Sequence, residues 1–158
     1  MKPSVYVETS IPSFYFEVRT EPEMIARRQW TREWWDNHIA DYDVVTSVAV
    51  VDELANGLFD ARDDTLDLIA HLPLLDINES IADSVATYIS HHVMPNDPAG
   101  DALHLAIASW HKCDFLLTWN CLHLANANKF GHIRRINTLL GLYVPSLVTP
   151  LELLGKMP

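Results

Sequence analysis

The chain has 158 residues, 49% of them hydrophobic and 20% charged, which suits a buried core and excludes a disordered tail. Its formal net charge of −10 excludes a generic nucleic-acid coat, because phosphate binding calls for Lys and Arg. It leaves room for a nuclease, since a metal-binding carboxylate cluster adds negative charge itself.

Residues 4–7 are β-branched and aromatic and predict a short buried strand, with residues 8–12 as a loop at its C-terminal end. Residues 21–40 predict a helix with Pro22 in its first turn, where the missing N–H matters little. A second strand is expected at 43–47, followed by a helix over 48–59 that ends near Gly57. Residues 63–71 read as helix, 72–77 as a short extended piece, and 79–92 and 101–112 as amphipathic helices. Residues 114–118 form the best strand pattern. A helix with a break at Gly131 is expected over 122–139, then an edge strand at 144–148 and a helical turn at 150–154.

Short apolar strands alternating with longer helices imply right-handed crossovers and an α/β fold with a parallel sheet. One domain spanning 1–158 fits this length. The first residues lack the apolar run of a signal peptide, and no stretch approaches a bilayer span. A cytoplasmic protein is therefore expected. The two cysteines, Cys113 and Cys121, read as free thiols.

Sites in open parallel sheets form beyond the C-terminal strand ends. Glu8 follows the first strand, Glu53 lies early in the helix after the second, Asp101 opens a helix, and Asn120 lies just beyond the 114–118 strand. Carboxylates and amides are the hard oxygen donors that magnesium and manganese prefer. Like charges raise one another's pKa, and no Lys or Arg adjoins these residues in sequence, so a divalent cation is the simpler balance. The competing reading is that such acids cap helices, Asp101 or Asp97 above all.

The segments Val5-Tyr6-Val7-Glu8-Thr9-Ser10, Ser47 through Glu53-Leu54, Gly100-Asp101-Ala102-Leu103-His104-Leu105-Ala106 and Leu116-Leu117-Thr118-Trp119-Asn120 resemble the four motifs of the PIN-domain family, in the family's order. The likeness runs over about residues 4–154. Its continuation through Cys121-Leu122-His123-Leu124-Ala125-Asn126-Ala127 resembles the VapC-type toxins of toxin–antitoxin pairs. The resemblance implies a three-layer α/β/α fold with a mainly parallel sheet of four to five strands, and an endoribonuclease dependent on magnesium or manganese that leaves a 5′ phosphate. It places Glu8, Glu53, Asp101 and Asn120 as catalytic metal ligands, with Thr9 and Thr118 in support. It also implies RNA as substrate, an antitoxin as partner and a homodimer. Two positions depart from the family pattern, since Glu8 stands where Asp is usual and Asn120 where Asp is frequent. They motivate the alternative of a non-catalytic module that binds RNA or protein.

Asp97 adds a carboxylate shortly before Asp101. His104 reads as a buried, hydrogen-bonded histidine or a carboxylate partner, and His123 as structural or close to the scissile phosphate. Lys129, Arg134 and Arg135 form a candidate RNA-backbone contact. Arg27, Arg28 and Arg32 read by default as a solvated face. Trp30, Trp34 and Trp35 read as core residues, an interface or an RNA-stacking surface. No paired Cys/His spacing supports zinc, and no glycine-rich loop supports a nucleotide cofactor.

Overall fold

A computed structural model describes residues 1–155. The strands are β1 (Ser4–Val7), β2 (Asp43–Ser47), β3 (Leu74–Leu75), β4 (Phe115–Leu117) and β5 (Ser146–Val148). The helices are α1 (Ser10–Tyr15), α2 (Pro22–Asn37), α3 (Val48–Asn56), α4 (Arg62–Ile69), α5 (Glu79–Ser90), α6 (Asp101–Trp110) and α7 (Ala127–Leu139). Short 3₁₀ turns follow at Ile39–Asp41 and Pro150–Leu153.

All five strands pair in parallel in the order β3-β2-β1-β4-β5. The expected α/β fold with a parallel sheet flanked by helices is therefore what the chain forms. β1 is central because it is buried on both faces: Val5, Tyr6 and Val7 are fully enclosed, as a strand with helices on either side demands. The chain first builds outward from β1 to β2 and β3, then crosses back through α5 and α6 to β4 on β1's other side. That reversal makes the C-terminal ends of β1 and β4 a switch point, where a crevice opens in such sheets.

Three expectations need correction. Residues 8–12 are not a loop, because α1 begins at Ser10. The helix expected over 21–40 stops at Asn37 and tightens into a 3₁₀ turn. The last long helix starts at Ala127, capped by the Asn126 side chain on the Asn128 N–H, and runs through Gly131 without a break. Its buried face of Ile133, Ile136 and Asn137 outweighs the roughly 1 kcal/mol that an interior glycine costs.

The arginines of α2 are not a free solvated face. Arg28 and Arg32 donate to the carbonyls of Glu17 and Tyr15, and Arg27 stacks over Phe14 and Trp119. Trp34 and Trp35 are core residues, while Trp30 is partly exposed and stacks on Trp119. Among the described residues no helix is long and apolar enough to cross a membrane.

Candidate active site

The C-terminal ends of β1, β2 and β4 carry two hydrogen-bonded groups of side chains. The first surrounds Glu8, which continues the β1 ladder through its N–H to the Leu117 carbonyl and is buried. Its Oε1 accepts from Ser10 Oγ at 2.6 Å and from Thr118 Oγ1 at 2.6 Å, and its Oε2 accepts from the Ser10 N–H at 3.2 Å. Three donors compensate the burial of this charge. Ser10 Oγ in turn accepts the Trp119 N–H at 2.8 Å, and Thr118 Oγ1 accepts the Asn120 N–H at 2.9 Å. The Asn120 side-chain oxygen accepts from the N–H groups of Leu122 and His123, so it shapes the turn after β4.

The second group surrounds His104, on α6 and 1% exposed. Its Nε2 lies 2.6 Å from Glu53 Oε1, and its Nδ1 lies 2.7 Å from the Tyr6 hydroxyl, which also bonds Ser47 Oγ at 2.8 Å. Burial disfavours a charged ring, but the Glu53 hydrogen bond and the charges of Glu8, Glu53 and Asp101 outweigh it, and the pKa of His104 is raised. Burial likewise pushes the half-buried Glu53 up, yet its bond to His104 and the imidazolium charge reverse this, leaving it lowered. Thr9 Oγ1 is near enough to favour the charged form of Glu53, but it is buried without a hydrogen bond of normal geometry.

Asp101 opens α6, where a carboxylate meets the positive end of the helix dipole. It does not cap the helix: Gly100 is the cap, and the Asp101 carboxylate makes no hydrogen bond among the described residues. Asp97 is no cap either, because its Oδ1 accepts the Ala99 N–H within the preceding loop. A Cβ at Gly100 would stand 2.6 Å from Asp97 Oδ2, so a larger residue there would displace the Asp97 side chain.

The basic residues separate. Burial lowers the pKa of Lys129, and the charge of Asp101 opposes that shift; the Lys129 ammonium donates to Met94 Sδ. With His92, Met94 and His123 it lines a shallow cleft of about 490 Å³. Arg134 lines a different cavity between α7 and β5, and Arg135 is exposed. Cys113 is buried, which pushes its thiol up to about 12, and Cys121 is exposed.

The PIN domain family model matches residues 5–120, from β1 through Asn120. The chain belongs to the PIN-domain family. PIN domains are generally nucleases and typically use divalent metal ions. The crystal structure of FitAcB from Neisseria gonorrhoeae has the same fold, with a TM-score of 0.53 at 16% identity over 94% of this chain and 99% of that one. No curated protein matches the chain by sequence.

The donor set of this PIN domain suits a hard divalent cation. Among the described residues Asp101 and one oxygen of Glu53 carry no protein hydrogen bond of normal geometry, and the unpartnered Thr9 hydroxyl lies near Glu53. Among the described residues no three acidic, His or Cys side chains stand within coordination distance of one point. The charges of Glu8, Glu53 and Asp101 all reach the His104 ring.

Ser10, Tyr6 and Ser47 were not foreseen as parts of this site. Ser10 carried a signal in its position two residues after Glu8, masked by reading 8–12 as a loop. Tyr6 and Ser47 resemble ordinary strand residues, and only the β1–β2 pairing brings them together.

Proposed function

We propose that this PIN domain is a magnesium- or manganese-dependent endoribonuclease and the toxin of a toxin–antitoxin pair. The observation that carries this reading is that Glu8, Glu53 and Asp101, from three separate segments, all act on the same buried imidazole at the sheet's C-terminal edge. Glu53 and Asp101 offer oxygen to the cation, and Glu8, held by Ser10 and Thr118, supplies negative charge behind them. A divalent cation bound there would polarise the phosphodiester and activate water for hydrolysis. Asn120 keeps the turn that carries His123 in place, and Lys129 meets the RNA backbone beside Asp101. The antitoxin reading is supported by an exposed apolar cleft of about 530 Å³ that includes Val18 and Phe59, with Leu58 exposed beside it.

The test is cleavage of a mixed single-stranded RNA pool, with growth measured on expression. Wild-type protein is expected to cut with manganese or magnesium, to stop with EDTA, and to arrest growth. Asp101→Asn should lower the cleavage rate by at least about a hundredfold, the scale of losing a charge-stabilising group, and should restore growth. Neither cutting nor metal binding at high protein concentration would favour the non-catalytic module, which the fully hydrogen-bonded Glu8 carboxylate and Asn120 oxygen also suit.

A further inference from the structure

The imidazole of His104 joins three elements directly and a fourth through Tyr6. It stands on α6, meets Tyr6 of β1 through Nδ1, and meets Glu53 of α3 through Nε2. Tyr6 is fixed in turn by Ser47 at the end of β2. An ionised carboxylate only accepts, so Nε2 carries the proton it shares with Glu53. Nδ1 is satisfied in either ring state: the Tyr6 hydroxyl donates to a neutral ring, or accepts from a charged one and donates to Ser47. Both nitrogens are thus engaged, and the ring has no lone pair free for a cation or a phosphate.

Glu53, by contrast, has 37% of its side chain exposed, and His104 is its one hydrogen-bond partner of normal geometry among the described residues. A three-bond side chain held at one oxygen by a fully buried ring presents its other oxygen in a defined direction. We infer that His104 is a positioning residue, locked by Tyr6 and Ser47, that aims the free oxygen of Glu53 at the divalent cation. The inference rests on the metal-dependent reading of this site. Partners of ligating groups typically alter metal affinity by about ten- to a hundredfold when removed, whereas a histidine that merely fills the core would alter stability alone.

The experiment is manganese titration by calorimetry on folded protein, checked by circular dichroism, with RNA cleavage followed as a function of manganese. The proteins are wild type, Glu53→Gln, His104→Leu, His104→Gln and Tyr6→Phe. His104→Leu should weaken manganese binding by about tenfold or more, with KM for RNA unchanged and cleavage largely recovered at saturating manganese. His104→Gln, which keeps an N–H donor, should recover part of the affinity. Tyr6→Phe, which keeps the ring in the core and removes only its hydroxyl, should weaken binding to a smaller degree; it decides the matter if His104→Leu does not fold. Wild-type affinity in folded His104→Leu, or in Tyr6→Phe where that variant decides, overturns the inference. Absence of manganese binding by wild-type protein overturns the metal-dependent reading and the inference with it. Binding that Glu53→Gln alone disturbs overturns only the role of His104.

Discussion

Glu8 and Glu53 are the same residue type in opposite surroundings. Glu8 is buried and its two oxygens accept three hydrogen bonds, while Glu53 is half-buried and tied through one oxygen. The extra methylene that Glu8 has over aspartate lets its carboxylate fold back onto Ser10, two residues along. Ser10 Oγ gives its proton to Glu8 and accepts from the Trp119 N–H, so one hydroxyl joins the ends of β1 and β4. Ser10→Ala leaves a part-buried N–H and a buried charge each short of a partner. It should lower unfolding stability by about 1–3 kcal/mol, measured by urea denaturation, and a change under about 0.5 kcal/mol would show that water replaces the hydroxyl. The placing of these acids was legible from sequence: Glu8 follows a strand, Asp101 opens a helix and Glu53 lies within the helix after β2. Their partners were not: the pairs Glu8–Thr118 and Glu53–His104 span 110 and 51 residues, and no local pattern announces a hydrogen bond of that reach.

At the scale of elements, every strand and nearly every helix could be read from periodicity, because strands here are short apolar runs and helices carry apolar stripes. The errors fell where side chains override local propensity. Ahead of α7, the Asn120 side-chain oxygen takes the N–H groups of Leu122 and His123, and its backbone oxygen takes those of Leu124 and Ala125. These bonds close a self-contained turn that ends at Asn126, whose side chain then caps the helix beginning at Ala127. Within α7, Asn137 has the opposite effect. Its side chain accepts from Tyr88 of α5 and donates to Ser109 of α6 and to the Tyr143 carbonyl, pinning three helices together. A helix anchored this way tolerates Gly131, around which a Cβ would meet nothing within 4 Å. Gly131→Ala should therefore raise stability by about 0.5–1 kcal/mol, mainly by restricting the unfolded chain. A loss in urea denaturation would mean that the helix bends at this residue in solution.

For the whole molecule, the proposed RNA substrate has to be met by an acidic protein. The strand order that returns the chain across β1 brings the ends of β1 and β4 together, in a chain whose net charge is −10. Few cations remain to meet a polyanion. Arg27 is stacked on Phe14 and Trp119, and Arg28 and Arg32 are bonded to backbone carbonyls, so α2 contributes little free charge. Lys129 feels the charge of Asp101, with Arg134 and Arg135 further along the same helix. With about three phosphates neutralised, single-stranded RNA should bind with a slope of about −2 in log affinity against log salt, since each contact contributes roughly −0.7. Fluorescence anisotropy with a labelled RNA and the Asp101→Asn protein, at fixed magnesium and varied potassium chloride, measures that slope without cleavage. A slope steeper than about −4 would require more cations than α7 supplies, and the α2 arginines would then have to leave their aromatic and carbonyl partners on binding. A slope near −2 would match the three cations that α7 carries and leave the α2 arginines on their aromatic and carbonyl partners.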